Sequence, residues 1–233
     1  VDVRLADGKL AGVGYYTPHS QIVIRLLSRK VDEINEAFFY QRILQAWHYR
    51  QKTGYTENCR LVFGEADQLP ALIIDKFNDY FVIQTLALGI DIWKPANDVP
   101  VRTLEGLEQQ KGILSAPFDT NITINENGLK FYVDIENGQK TGYFLDQQDN
   151  RRAIQHIVKG AEVMGAFTYT GTFEIHAAHY GAKSVLGIDI SEQAVAQANK
   201  NAALNGLEKI VAFKAMNAFD VLKDWGKEGP LYD

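Results

Sequence analysis

The chain has 233 residues, of which 46% are hydrophobic, so it can bury a sizeable core and is long enough for more than one domain. Its formal net charge of -5 at pH 7 excludes the overall basic excess of a protein that mainly coats nucleic acid, but it does not exclude local basic patches. The single cysteine, Cys59, excludes an internal disulfide framework and fits a reducing compartment.

The apolar stretches are too short to predict a membrane span, which needs about 20 consecutive apolar residues. The best candidate, YFVIQTLALGI, is interrupted by Gln84 and Thr85 and predicts a buried strand. The N-terminus lacks the basic and then apolar layout of a signal peptide. We therefore expect a soluble, cytoplasmic protein. The chain begins within a strand pattern and ends at GPLYD, where another strand would start, so we expect truncation at both ends.

Residues 1–137 carry strand and hairpin signals around one long helix. Residues 1–30 predict the end of a small β domain, with a hairpin turn at Asp7-Gly8 followed by the alternating stretch SQIVIRLLS. A helix is predicted over VDEINEAFFYQRILQAWHYRQKT, before Gly54. Further strands surround GEADQLPALIIDKF, and a hairpin closes near Asn127-Gly128. Residues 31–137 are therefore interpreted as a compact α+β domain.

Residues 138–233 alternate between helix and strand. A helix over about 146–158 precedes the strand AEVMGAF, the helix TFEIHAAHYG, the strand SVLGIDI, the helix SEQAVAQANKNAALNG, the strand KIVAFKA and the helix AFDVLKDW. Such strict alternation predicts an α/β fold with a parallel, doubly wound sheet. Ser191 is a good N-cap for one of these helices, and Asn205-Gly206 is a good C-cap.

The stretch VMGAFTYTGTF, residues 163–173, predicts a strand that runs into a tight turn and opens a helix. In open α/β sheets ligands bind outside the carboxyl ends of the strands, and the N–H groups at a helix N-terminus suit an anion. The next two strand ends carry Asp189, which can accept both ribose hydroxyls, and Asn217, which can bind the edge of a purine. A pyrophosphate requires several turn glycines, whereas this turn has only Gly171. The pattern therefore favours S-adenosylmethionine over a dinucleotide.

Each of these residues also has a purely structural explanation. Asp189 can oppose the dipole of the helix that begins near Ser191, and Asn217 can cap the helix that follows it. Phe167 and Tyr169 can wall a pocket for a sulfonium cation, or they can belong to the core. The combination favours a cofactor site more strongly than any single residue does.

Five motifs occur along the chain in the order RLVFGEADQLPALIIDKF, VRTLEGL, GQKTGYFLDQQDNRRAI, FTYTGTFEIHAA and GIDISEQAVAQANKNAALNG. With them the chain resembles the bacterial large-subunit (23S) ribosomal RNA methyltransferases that form 5-methylcytosine, and the resemblance covers nearly the whole chain. The most specific motif is QKTGYFLDQ. The resemblance implies that residues 1–30 end an RNA-binding PUA domain, residues 31–137 form a central α+β domain, and residues 138–233 form the N-terminal half of a class I methyltransferase domain. It also implies ribosomal RNA as the partner.

The resemblance further implies which residues contact S-adenosylmethionine. They are Phe167, Tyr169, Thr170 and Gly171 at the methionine end, Asp189 with Ile190 at the ribose, Asn217 with Ala218 at the adenine, and Lys140, Phe144, Asp146 and Gln147 in the motif packed over the pocket. Both Lys140 and Asp146 have an equally favoured structural explanation. Lys140 can form a salt bridge with a nearby acid, and Asp146 can be the N-cap of the following helix.

The chain departs from the family at several positions. The family usually has Asp or Asn at Gly165, Gly at Thr172, Arg at Gln148 and Asp at Asn217. Its DGLPG turn corresponds to residues 67–71, DQLPA, where both glycines are replaced. The loss of polar groups at positions 165 and 217 predicts weaker cofactor binding. A degenerate, inactive protein is therefore an alternative.

The resemblance places the catalytic residues after Asp233, where the D-P-P motif and nucleophilic cysteine of the family are expected. Cytosine-5 methylation needs a thiolate that adds to C6, so that C5 can take the methyl group. Cys59 is interpreted as a small, partly buried hydrophobic residue, so no catalytic residue is named and we expect this polypeptide alone to be inactive. The alternatives are a non-catalytic module that binds RNA or S-adenosylmethionine and, less favoured, an NAD-dependent dehydrogenase.

Other patterns are given structural explanations. His176 and His179 have a spacing that can hold a metal, but no third ligand is near, so they are interpreted as a helix surface pair and no metal site is predicted. Arg151 and Arg152 are the best candidates for RNA contacts, although a solvated helix face is favoured. The missing fourth strand leaves the strand AEVMGAF with an open apolar edge, so we expect self-association or marginal stability.

Overall fold

The computed structural model describes residues 1–18, 20–30, 33–91 and 112–227. The stretch VRTLEGL and the strand expected at GPLYD lie outside the described residues. The chain divides into two compact units: the first comprises Val1–Asp119 and Gln139–Thr141, and the second comprises Thr120–Gly138 and Gly142–Asp233. Among the helices that the structure describes, none is long and apolar enough to cross a membrane.

The first unit contains two three-stranded antiparallel sheets and a long helix. Its elements are β1 (Asp2–Arg4), β2 (Leu10–Tyr16), β3 (Ile24–Ser28), α1 (Glu36–Lys52), β4 (Asn58–Phe63), β5 (Leu72–Phe77), β6 (Tyr80–Thr85) and α2 (Leu88–Asp91). The helix α1 begins at the N-cap Asn35, whose side chain accepts a hydrogen bond from the N–H of Phe38. The predicted helix therefore forms, with its start a few residues later than its pattern suggested.

One hydrophobic core serves both sheets of the first unit. It includes Tyr15, Leu27, Ala46, Leu61 and Leu72, which come from β2, β3, α1, β4 and β5. The Tyr15 hydroxyl also donates a hydrogen bond to the carbonyl of Pro70. Residues 1–30 thus share the core of the central segment and form no separate compact unit, because three short strands cannot bury a core alone.

The second unit is built around a three-stranded parallel sheet. Its elements are β7 (Asn121–Glu126), β8 (Leu129–Asp134), α3 (Gln148–Ala153), β9 (Glu162–Ala166), α4 (Thr172–His179), β10 (Ser184–Asp189), α5 (Glu192–Leu204), β11 (Val211–Ala215) and α6 (Ala218–Trp225). Strands and helices alternate as predicted. The predicted caps of α5 also form, because Ser191 Oγ accepts from the N–H of Ala194 and Gly206 is left-handed, with φ 67°.

The strand β10 lies at the centre of the parallel sheet, between β9 and β11. The register pairs Ile188 with Ala166 and Asp189 with Ala215, so the carboxyl ends of the three strands lie side by side. In the part of the chain that the structure describes, β9 pairs with β10 alone, and its residues are half-buried. The carboxyl edge of the sheet therefore gathers the three loops that the sequence singled out.

The hairpin of β7 and β8 belongs to the second unit. The chain thus passes into the second unit after residue 119 and returns to the first unit at residues 139–141. The domain boundary expected after residue 137 stays a prediction. The hairpin turn, Asn127-Gly128, has φ values of 52° and 85°, as a two-residue turn of this kind requires.

Asn201 of α5 and Asn205, the C-cap of α5, explain why the hairpin joins the second unit. The side-chain oxygens of Asn205 and Asn201 accept hydrogen bonds from the N–H groups of Lys130 and Tyr132 on β8, both at 2.9 Å. A strand edge that is satisfied in this way is held against the helix. These contacts join residues far apart in sequence, so no local pattern announces them.

Candidate functional site

Three loops meet at the carboxyl edge of the parallel sheet. They are residues 167–171 after β9, residues 190–191 after β10 and residues 216–217 after β11. The N–H of Thr168 donates to the carbonyl of Ile188 at 3.1 Å, and the N–H of Met216 donates to the carbonyl of Asp189 at 2.8 Å. The structure therefore brings together the predicted site residues of all three loops: Phe167, Tyr169, Thr170, Gly171, Asp189, Ile190, Asn217 and Ala218.

The loop after β9 contains three residues with left-handed backbone. Phe167 (φ 59°) and Tyr169 (φ 49°) carry side chains, and Gly171 (φ 76°) follows them. A Cβ on Gly171 would lie 2.3 Å from Cζ of Phe213, so only glycine fits at this position. Left-handed backbone costs a non-glycine residue about 1–2 kcal/mol, and such residues cluster at functional sites. The strain marks this loop as one whose shape matters.

Asp189 connects the first two loops. Its Oδ2 accepts a hydrogen bond from the N–H of Tyr169 and its Oδ1 accepts one from the N–H of Ser191, both at 2.9 Å. Each carboxylate oxygen has two lone pairs, so each can accept a further hydrogen bond from a ligand. The side chain is half-buried and remains within reach of solvent. The structural and functional explanations for Asp189 are therefore compatible.

Asn217 is the N-cap of α6. Its Oδ1 accepts a hydrogen bond from the N–H of Phe219 at 3.0 Å. This is the structural alternative that the sequence left open. The exposed side chain still has its NH2 group, which can donate to a ligand. Ala218, beside it, is 3% exposed and packs into the core of the sheet.

An exposed apolar surface, formed by Phe167, Ile190, Met216 and Phe219, lies on the three loops and the start of α6. The rings of Phe167 and Phe219 are 62% and 73% exposed, and their centroids lie 5.6 Å apart. Phe167 is therefore not a core residue. The sequence did not identify Phe219 or Met216, although an aromatic residue two positions after a helix N-cap at a strand end is a usable signal.

The motif before α3 makes a ring contact with the first loop. Phe144 meets Tyr169 edge to face, with ring centroids 5.6 Å apart. Gln147 is half-buried and donates to the exposed Asp146 at 3.2 Å. No side chain caps α3 or the 3-10 turn before it, so Asp146 is not the N-cap that the sequence offered as an alternative. Lys140 belongs to the first unit, where it is exposed and has a left-handed φ of 58°.

A buried carboxyl group, that of Glu174 on α4, lies against β9. Glu174 is 4% exposed, and among the described residues its Oε2 has no hydrogen-bond partner. Burial raises the pKa of Glu174 from 4.5 to about 7, and the nearby charge of Asp189 acts in the same direction. The sequence did not identify this residue, because a single glutamate in a helix carries no signal of its own.

A buried ion pair joins the hairpin to α3. The side chains of Arg151 and Glu126 are 1% and 2% exposed, and Arg151 donates two hydrogen bonds to the carboxylate. His176 is fully buried next to this pair, and its Nδ1 donates to the carbonyl of Thr172 at 2.7 Å. Burial lowers the pKa of His176 from 6.5 to about 4, so the ring is neutral. Arg151 is therefore neither an RNA contact nor solvated, and His176 and His179 are not a surface pair.

Comparison with known sequences places the chain among methyltransferases. The family model described as S-adenosylmethionine-dependent methyltransferase matches residues 110–232, more than half of the chain, and a PUA-like domain model matches residues 1–29. Two relatives named ribosomal RNA large subunit methyltransferase I, from Alteromonas mediterranea and Vibrio cholerae, are 35% and 36% identical over 100% of this chain. The chain spans 64% and 65% of the length of these relatives.

Solved structures share the fold. A Streptococcus mutans protein assigned as a SAM-dependent methyltransferase superposes on 100% of this chain and 66% of its own, with a TM-score of 0.82 at 21% identity. The SAM-dependent methyltransferase from Agrobacterium tumefaciens covers 70% of this chain and 55% of its own, with a TM-score of 0.56 at 21% identity. The fold is that of a class I methyltransferase, as predicted. The chain belongs to the S-adenosylmethionine-dependent methyltransferase family, which also confirms the predicted cofactor class.

Proposed function

We propose that the second unit binds S-adenosylmethionine on the three loops at the carboxyl edge of its sheet. Asp189 receives the ribose hydroxyls, Phe167 lies at the methionine end, and the exposed ring of Phe219 stacks on the adenine. The observation that carries this proposal is the hydrogen bonding of Asp189. Each of its carboxylate oxygens accepts one hydrogen bond from a loop and keeps a lone pair that can accept another from a ligand.

The remaining predicted residues have narrower roles in this proposal. Tyr169, Thr170 and Gly171 shape the loop that faces the amino acid half of the cofactor, next to the N-terminus of α4. Ile190, Asn217 and Ala218 lie on the nucleoside side, and Phe144, Asp146 and Gln147 form the covering motif. The role of Lys140, which belongs to the first unit, stays a prediction from the resemblance.

Calorimetric titration with S-adenosylhomocysteine tests cofactor binding in this chain. We expect saturable binding, no comparable binding of NADH, and a loss of about 10- to 100-fold in affinity for Asp189→Asn, since hydrogen bonds to a charged group are removed. The matched control is Asp224→Asn, which changes an exposed aspartate of α6 in the same unit. Tighter binding of NADH than of S-adenosylhomocysteine would overturn the proposal.

We further propose that the whole protein methylates large-subunit ribosomal RNA in the cytoplasm, at C5 of a cytosine. The name of the two relatives supports the RNA substrate, and the motif resemblance supports the position. In this reaction a thiolate adds to C6, C5 takes the methyl group from the sulfonium, and loss of the C5 proton expels the thiolate. Cys59 does not supply that thiolate, because it is 3% exposed and burial raises the pKa of its thiol.

Nucleoside analysis tests the substrate. We expect the whole protein to convert unmodified ribosomal RNA and S-adenosylmethionine into RNA that contains 5-methylcytosine. A different methylated nucleoside would overturn the assignment to C5 of cytosine but would leave the proposed methyltransferase activity standing. If the protein binds the cofactor but transfers no methyl group, the second candidate function, a non-catalytic binding module, is favoured. The replacements of the family's polar residues by Gly165 and Asn217 support this candidate.

We also propose that this polypeptide self-associates through β9. Within the described ranges this strand pairs on one side only, and an apolar edge of this kind can pair with a second copy. Sedimentation should show a concentration-dependent dimer that Val163→Lys abolishes. A monomer at every concentration would contradict this.

A further inference from the structure

Glu174 and Gly165 share one space in the second unit. Glu174 reaches from the first turn of α4 to β9, and a Cβ built on Gly165 would lie 1.8 Å from its Oε1 and 2.7 Å from its Cδ. Both distances are far below van der Waals contact, so any side chain at position 165 would displace the carboxyl group. The carboxyl group of Glu174 therefore fills the volume that a side chain on the strand would occupy.

This carboxyl group lacks a partner for one of its oxygens. Among the described residues four buried side-chain atoms have no hydrogen-bond partner, and two of them are Oε2 of Glu174 and Oγ1 of Thr168. Thr168 lies on the loop that joins β9 to α4, so both atoms belong to the same strand-loop-helix segment. Unpaired buried polar atoms are costly and rare in folded proteins, and two of them lie in this one segment.

The charges around Glu174 favour a cation. The nearby charged group is the carboxylate of Asp189 on β10. The β9 residue that faces Glu174 is Gly165, which carries no charge. Burial and this second acid both oppose ionisation of Glu174, whose pKa is raised to about 7. A cation bound at Glu174 would offset this repulsion and stabilise the ionised carboxylate.

We infer that Glu174 is the residue that binds the ammonium group of the cofactor's amino acid half, from the helix side of the pocket. The inference rests on the proposed function of the same loops. Of the two cationic groups of the cofactor, the sulfonium has no hydrogen to donate, whereas the ammonium has three N–H groups that can satisfy Oε2. The replacement of a polar residue by Gly165 then does not weaken binding as the sequence suggested, because the acid has moved from the strand to the helix.

Two ligands that differ only in the amino acid test this inference. S-adenosylhomocysteine carries the ammonium, and 5′-methylthioadenosine has the same nucleoside and sulfur without it. We expect Glu174→Gln to lower the affinity for S-adenosylhomocysteine by about 10- to 100-fold, because a charge-assisted hydrogen bond is lost. The affinity for 5′-methylthioadenosine should stay within about twofold of the wild-type value. Glu208→Gln, which changes an exposed glutamate of the same unit, is the matched control.

The outcomes separate the inference from the proposed function. If the wild-type chain binds neither ligand, the proposed function fails and the inference with it. If the wild-type chain binds S-adenosylhomocysteine and Glu174→Gln does so equally well, the inference alone fails. Equal weakening of both ligands by Glu174→Gln would indicate a purely structural role and would also overturn it.

A relocation variant adds an independent check. Glu174→Ala with Gly165→Asp returns the acid to β9 and removes the clash, so it should recover most of the affinity for S-adenosylhomocysteine that Glu174→Ala loses. A folded double variant that binds no better than Glu174→Ala would contradict the inference. The glutamine comparison decides the matter if the double variant does not fold.

Discussion

Both units bury acidic side chains, and two of these acids, Asp75 and Glu174, have very different surroundings. Asp75 in the first unit accepts two hydrogen bonds from Arg60, both at 2.9 Å, and one from the Thr141 hydroxyl at 2.6 Å. Glu174 in the second unit has an unpartnered oxygen and a second acid nearby. A buried charge is tolerated when it is paired, and an unpaired one needs another explanation. The contrast separates an acid that holds the fold from one that serves a ligand.

Neutralising the paired acid should have the largest effect on stability. Asp75→Asn leaves the Arg60 guanidinium, 21% exposed, without its counter-charge. We expect the free energy of unfolding to fall by about 3 kcal/mol, at the lower end for a broken buried pair because Arg60 is partly solvated. Urea denaturation measures this change. The affinity for S-adenosylhomocysteine should stay within about twofold, and a marked loss of affinity in the folded variant would break the distinction between the two acids.

Neutralising Glu174 should remove its contribution to the pH dependence of the free energy of unfolding. The pKa of Glu174 is raised from 4.5 to about 7, so the folded state holds the extra proton between these values and stability falls as pH rises through them. Full ionisation costs about 3 kcal/mol at about 1.4 kcal/mol per pKa unit. Glu174→Gln should therefore gain stability relative to wild type between pH 5 and pH 8, as measured by urea denaturation.

His176 provides the internal reference for that comparison. Its pKa is lowered from 6.5 to about 4, so the unfolded state binds more protons in this range and stability rises as pH rises from 4 to 6.5. This contribution is common to both proteins, so the difference between wild type and Glu174→Gln isolates Glu174. A difference that does not change with pH would contradict the assignment.

The exposed aromatic rings extend the comparison to the surface. Phe219 in the second unit and Phe81 in the first are 73% and 51% exposed. If Phe219 stacks on the adenine, Phe219→Ala should weaken S-adenosylhomocysteine by about tenfold, whereas Phe81→Ala should not change it. Titration calorimetry on both variants measures this. Equal affinities for the two variants would remove Phe219 from the site.

Backbone strain gives the smallest effect. Gln68 occupies the position of the first glycine in the family's DGLPG turn. Its backbone is left-handed, with φ 59°. Gln68→Gly should stabilise the protein by about 0.5–1 kcal/mol, because strain is relieved at some cost in chain entropy. Thermal denaturation measures this gain, and cofactor affinity should not change. A loss of stability would mean that the Arg42 hydrogen bond to Gln68 matters more than the strain.

The sequence predicted those features that local patterns control. The alternation of strands and helices, the caps of α5 at Ser191 and Gly206 and the Asn127-Gly128 turn each depend on residues close in sequence, and each is confirmed. The same logic located Asp189 and Asn217 at strand ends. It could not separate binding from capping, because the same side chain can do both.

The remaining features depend on contacts between distant residues. Arg151 looks like a surface residue until Glu126, 25 positions earlier, is folded against it. The glycine at position 165 looks like a lost polar group until Glu174 fills the space beside it. Neither pairing has a spacing or composition that a single sequence reveals, because the partners meet only when the sheet and its helices are assembled.

The central claim is that the three loops at the carboxyl edge of the parallel sheet form the cofactor site. Mapping of backbone amide chemical shifts during titration with S-adenosylhomocysteine tests it directly. We expect the largest shifts at residues 167–174, 189–191 and 216–219. Largest shifts elsewhere in the chain, with these three segments unchanged at saturation, would contradict it.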